Sequence, residues 1–208
     1  MAKVKSGADG SISGMIGPVV FYKLNGKSYA RTAPKERDKN SWSDGQLNYR
    51  KKVSKLAAFW RQVTPLPIRQ IWNLAAEQMS GYNLFLKTNL PAFSADGLEI
   101  DPEWLHFSSG KLPLPHKLKA IRIVGDPNNI EVTWQDDSDI GLALSNDEMT
   151  MVIAHEGKFT APIATGIVRK QQTAAITLPS GIGEIQGIYL YFASDIRMLY
   201  SQDQYFAL

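Results

Sequence analysis

Between residues 43 and 90 the apolar side chains recur every three or four positions, and from about residue 112 the recurrence shortens to every second one. The first period belongs to helices and the second to half-buried strands. Tyr49, Val53, Leu56, Ala57, Trp60 and Val63 form one helical stripe, while Arg50, Lys51, Lys52, Lys55 and Arg61 take other faces. Ser43 and Gln46 have the spacing of a capping box, which sets the start of that helix. Thr64-Pro65-Leu66-Pro67 ends it, and Pro67 suits the first turn of a second helix because its missing N–H costs nothing there. Ile68, Ile71, Trp72, Ala75 and Met79 make the second stripe, with Gly81 as its C-terminal cap; Tyr82 to Leu90 adds a short third helix before Pro91.

Seven segments carry the period-two pattern: 119–124, 130–134, 149–154, 166–169, 174–178, 187–192 and 198–200. Turn signals such as 125–129, Glu156-Gly157 and 179–183 separate them, and no helical segment intervenes. Successive short strands of this kind predict an antiparallel β-sandwich of the immunoglobulin or fibronectin type, with Trp134 at its centre.

Near the N-terminus, Val19-Val20-Phe21-Tyr22 and Tyr29-Ala30-Arg31-Thr32 flank Asn25-Gly26, two residues that accept the positive φ of a type I′ turn. Gly26-Lys27-Ser28 matches the close of a phosphate-binding P-loop, but Phe21 stands where the loop's first glycine belongs, and a strand rather than a helix follows. The stretch therefore reads as a hairpin over 18–33. Residues 1–17, with Gly7, Gly10, Gly14 and Gly17, read as a mobile arm ordered by a partner. The predicted fold class is α+β, in three parts: 1–40 as Gly-rich arm and β-hairpin, 41–111 as an α-hairpin of two or three helices with a connector, and 112–208 as the β-sandwich.

Charge sharpens this division. The net charge is only +3, yet 14 of the 23 Lys/Arg and 4 of the 20 Asp/Glu fall in residues 1–70. A basic front and an acidic rear favour contact with nucleic acid, an acidic protein or further copies of the chain. The chain has no cysteine, which excludes disulfides, thiolate metal sites and cysteine nucleophiles. No secretory signal is read at the N-terminus, and Met15–Tyr22 is far short of the roughly 20 residues that span a bilayer. A chain without a membrane span, cytoplasmic or associated with a virion or other assembly, is expected.

Lys3-Val4-Lys5-Ser6-Gly7, the hairpin end Arg31-Thr32-Ala33-Pro34-Lys35, Ser43-x-x-Gln46 with Arg50, Gly81-Tyr82-Asn83, and Val132-Thr133-Trp134 followed by Asp136 and Asp147 recur together over most of the chain. In this combination the sequence resembles an uncharacterised domain-of-unknown-function family from Bacteroidetes bacteria. The resemblance implies a bacterial or phage-related origin and the layout above, and it carries no catalytic residue.

No catalytic constellation emerges. His106, His116 and His155 fall in different segments without an i, i+4 partner, and no Gly-x-Ser-x-Gly elbow is present. Asp136-Asp137-Ser138-Asp139 with Glu148 has some of the spacing of a calcium loop, but Leu142 occupies the position of its turn glycine. No cofactor, metal or enzymatic activity is expected. The expected role is a structural or protein-interaction module that self-assembles, or docks into a larger assembly, through residues 1–40, with Val19, Phe21, Tyr22, Tyr29 and Arg31 as partner-binding residues. One alternative is a nucleic-acid-associated protein using Arg50, Lys51, Lys52 and Lys55. Another is a glycan-binding module in which Trp42, Trp104 and Trp134 or the Asp136–Asp139 loop line a groove.

Overall fold

The computed structural model describes residues 5–6, 12–24, 26–35, 42–63, 67–138 and 140–208. The protein is α+β and divides into two compact units, 1–43 and 44–208.

The first unit is a four-stranded antiparallel sheet in the order β1 (Lys5–Ser6), β2 (Ile12–Ile16), β3 (Val19–Leu24), β4 (Lys27–Thr32). The predicted hairpin is β3–β4: Leu24 pairs with Lys27 across a two-residue connection in which Gly26 has φ +77°. Part of the segment read as a mobile arm is also strand. Gly14, Met15 and Ile16 pair with Phe21, Val20 and Val19, and the β2–β3 turn places Gly17 at φ +55°, which suits the first position of a two-residue type II′ loop. Glycine content masked a strand whose Ile12 and Ile16 alternate with small residues; Lys3, Val4 and residues 7–11 lie outside the described residues.

In the second unit, α1 (Asp44–Val63) starts directly after Ser43, as the capping pattern requires. Its buried stripe is Leu56, Phe59, Trp60 and Val63, whereas Tyr49 is exposed. The helix α2 (Ile68–Ala75) follows Pro67, which sits at the N-cap rather than in the first turn. It stops short of Met79, which is exposed, and Gln78 takes φ +58°. Gly81 is therefore not the cap of α2. It opens α3 (Gly81–Asn89), whose N-cap Ser80 accepts a hydrogen bond from Asn83 N. A Cβ at Gly81 would fall 2.6 Å from Asn73 N, so the glycine is required by the close approach of α3 to α2.

All seven expected strand segments form. They overlap β5 (Lys119–Ile123), β6 (Asp126–Thr133), β7 (Glu148–His155), β9 (Ile163–Val168), β10 (Thr173–Thr177), β11 (Ile185–Ser194) and β12 (Leu199–Tyr200), with Val124, Trp134, Arg169, Leu178 and Met198 falling just outside; β8 (Lys158–Phe159) and β13 (Gln204–Ala207) are additional. One sheet has the order β10-β6-β5. The other runs β12-β11-β7-β8, with β13 beside β12 on β11 and β9 beside β8 on β7.

β7 and β11 are almost wholly buried because both of their faces are covered. Met149, Met151, Ile153, Ile188, Leu190 and Phe192 share a core with Ile130, Val132, Trp134 and Ile176 of the three-stranded side. Their alternate neighbours Val152, Ala154, Tyr189, Tyr191 and Ala193 share the other core with Leu56, Phe59, Trp72 and Phe85 of the helices. The helical and β regions, expected as domains 41–111 and 112–208, are thus parts of one unit, with β7 and β11 in its middle layer.

Burial raises the pKa of Tyr189 and Tyr191 above the usual tyrosine value of 10.0, with the negative charge of Asp203 as the second cause in both. Each therefore contributes stability that is fully present below pH 10 and is lost as pH rises toward the folded-state value, since unfolding releases the phenol to ionise. In a tyrosinate absorbance titration, both residues are expected to ionise only as the protein unfolds. Reversible ionisation of all 8 tyrosines in the folded protein would contradict this.

Candidate functional site

The expected partner-binding residues lie on the sheet of the first unit, and strand alternation sorts them onto two faces. Tyr22, Tyr29 and Arg31 share a face with Met15, Val20, Leu24 and Lys27. Val19 and Phe21 share the opposite face with Ile12, Gly14, Ile16, Ala30 and Thr32. None of residues 12–24 and 26–35 is buried. Apolar side chains occupy both faces: Met15 is 51% exposed and Leu24 56% on one, Ile12 44% and Ile16 46% on the other.

The Tyr22 face is the more structured. The Tyr22 and Tyr29 rings stack with centroids 5.5 Å apart, and the Arg31 guanidinium lies 5.9 Å from the Tyr22 centroid. On the Phe21 face a single ring stands between Gly14 and Ala30, which pair with it from either side.

The proposed nucleic-acid residues do not form one open surface. Lys52 precedes Leu56, Phe59 and Val63 on the buried stripe of α1 and is half-buried. Gly97, at φ +74°, lies so close to α1 that a Cβ there would be 3.2 Å from Lys52 Cα and 3.1 Å from Lys55 Cγ. The Asp96 carboxyl is held below its usual pKa, chiefly by the Ser94 hydroxyl and the Leu98 N–H, with a smaller contribution from Lys51. Arg50, Lys51 and Lys55 remain exposed.

The glycan reading loses its central ring. Trp134 is 5% exposed, and its Nε1 donates to Arg169 O at 2.7 Å. Trp104 is exposed and Trp42 half-buried. The acidic loop is also engaged: Asp137 accepts from Arg169 Nη1 at 2.6 Å, and Asp136 accepts from Ser138 N. Asp139 lies outside the described residues.

Two buried polar groups escaped sequence reasoning. Arg169 has a fully buried side chain; its Nη2 donates to Pro113 O at 2.7 Å, its guanidinium lies over Phe192, and its Nε is 3.7 Å from Asp147 Oδ2. Asp147 in turn accepts from Arg197 Nη2 at 2.8 Å and from Leu144 N at 2.7 Å. The second group centres on Asp203, which accepts from Phe107 N at 2.6 Å and Ser108 N at 3.3 Å, and lies 2.7 Å from His106 Nδ1. A carboxylate-imidazole pair can serve a nucleophile, but His106 Nε2 faces the Gln202 amide at 3.4 Å instead of a hydroxyl. The pair anchors residues 106–108 to the C-terminal segment.

The grooves of the second unit differ in character, and one of about 240 Å³ includes Glu148, Asp195, Tyr191 and Tyr200. One of about 530 Å³ is lined by Leu98, Ile100, Pro102, Ala154, Phe159 and Tyr205, and another of about 520 Å³ includes Arg122 and Glu184. Among the described residues no group of three or more His, Asp and Glu could hold a metal ion, and no helix is long and apolar enough to cross a membrane.

A family model described as a family of unknown function, DUF6266, matches residues 11–206, spanning both units. The chain belongs to the DUF6266 family. No curated protein matches it. The DUF6266 match includes the strands β2 to β4 as well as nearly all of the larger unit.

Proposed function

We propose that this DUF6266 protein is a non-enzymatic structural or protein-interaction module that self-assembles, or docks into a larger assembly such as a phage-like particle, filament or envelope complex, through its N-terminal sheet. One observation carries the reading: residues 12–24 and 26–35 have apolar side chains on both faces of that sheet and include no buried residue. An antiparallel sheet normally places at least one face against a core, and a contiguous exposed apolar face marks an interaction surface. A macromolecular partner supplies the missing layer.

We also read the two sheets of residues 119–208 as an immunoglobulin- or fibronectin-like sandwich. The order β5-β6-β10 facing β8-β7-β11-β13 supports it, because the first, second and fifth main strands pair apart from the third, sixth and seventh. Such modules commonly present edges and loops to partners.

The test is removal of residues 1–43, which leaves the unit 44–208 with its own cores. By light scattering, the full chain is expected to run above its monomer mass of 23.1 kDa and the truncated chain as a monomer. An assembly state unchanged by the truncation would remove the proposal. The nucleic-acid alternative predicts retention on DNA or RNA that falls steeply with salt, and a flat salt response would dismiss it.

A further inference from the structure

We infer that the face bearing Ile12, Ile16, Val19 and Phe21 seats the same face of a second copy of this chain, the two related by a two-fold axis. The inference rests on the proposed docking role of the sheet and adds which face is used and what occupies it.

Charge separates the two faces. On the Tyr22 face, Lys27 and Arg31 flank the aromatic pair. Packing two such faces together would bring like charges into a partly desolvated contact, which opposes association. The opposite face carries Ile12, Ile16, Val19, Phe21, Ala30, Ser28 and Thr32, with Lys23 near the turn as its one charge among the described residues. A copy of itself can cover that face without setting one block of charge against another.

Relief points the same way. Phe21 lies on the central strand between Gly14, which has no side chain, and Ala30, which has one methyl group. A two-fold axis near this row sets each Phe21 ring over the small residues of its mate, so one surface supplies both projection and recess. The product is a pair of facing sheets with the roughly 10 Å separation of a sandwich, its core completed between two chains.

Adjacent residues on opposite faces make the test direct. In the full-length protein, Phe21→Glu is expected to weaken self-association by about thirtyfold or more, the loss typical of a central interface residue, while Tyr22→Glu leaves it near the wild-type value. Because Phe21→Glu can also disturb the sheet, single cysteines in this cysteine-free chain provide a second measurement. Val19→Cys is expected to form a disulfide-linked dimer under mild oxidation, whereas Val20→Cys is not. If Tyr22→Glu dissociates the protein, or if Val20→Cys crosslinks in place of Val19→Cys, the face assignment is overturned and the docking role stands. A wild-type chain that is monomeric at every concentration overturns the inference. Association that survives removal of residues 1–43 defeats the docking role itself.

Discussion

Replacing Arg169 with leucine is expected to destabilise the protein by about 3–5 kcal/mol, the cost of breaking a buried ion pair from one side. Arg169 and Asp147 are fully buried and Asp137 is 2% exposed. Without the guanidinium, Asp137 retains among the described residues only His116 at 3.5 Å, a side chain that is itself 67% exposed. Asp147 keeps Arg197, and Pro113 O loses its donor. Leucine fills much of the space over Phe192, so the expected loss is mainly electrostatic. The check is chemical denaturation with the slope held constant. The double variant Arg169→Leu/Asp137→Leu is expected to recover part of the loss, because removing both members of a buried pair is far milder than orphaning one. A single variant within about 1 kcal/mol of wild type would show that solvent reaches this network and that it does not hold the loops at this end of the unit together.

Replacing Trp72 with alanine is expected to cost a similar amount, about 3–5 kcal/mol, for a different reason. Trp72 is fully buried in the core formed by the helices, β7 and β11, and its ring meets the Phe85 ring edge-on with centroids 5.2 Å apart. Alanine leaves a cavity that these aromatic neighbours only partly close, and it deprives Phe107 O of the Nε1 donor at 3.0 Å. Trp72→Phe separates the two effects, since it retains a ring and loses the hydrogen bond. It is expected to cost less than half as much. If the helices unfold in denaturant before the sheets in the alanine variant, the shared core is weaker than its packing suggests; one concerted transition is the expected result.

The two predictions differ in how visible their residues are in the sequence. Trp72 is legible because it repeats with Ile68 and Ile71 at helical spacing, and a residue on such a stripe is placed by local geometry alone. Arg169 offers no local signal. It follows β9 in a polar stretch, and its partners Asp137, Asp147 and Pro113 arrive from other segments of the chain. Asp203 with His106 is another case, separated by 97 positions. Long-range polar pairing has no period, so pattern reading treats such residues as surface.

The N-terminal sheet lies between these extremes. Asn25-Gly26 and its flanking residues announced β3 and β4, whereas the glycines of residues 7–17 concealed β2, whose pairing with β3 gives the sheet its extra width. Phe21 and Tyr22 stand out as candidates through their aromatic character beside the hairpin turn. That they point to opposite faces also follows from alternation. Which face carries fewer charges required the register, because Lys27 and Arg31 reach the Tyr22 side only through their pairing with Leu24 and Val20.

By itself, the sequence determined the periodic elements of this protein: three helices, the main strands, the hairpin turn and the absence of cysteine chemistry. Each depends on residues within one or two turns of chain, where covalent geometry imposes the spacing. Tertiary structure alone decided that the helices and sheets form one unit, that β7 and β11 serve two cores, that Trp134 is buried, and that the N-terminal sheet holds no core in its described part. These are outcomes of which faces meet, and a face acquires its partner only when distant segments are brought together.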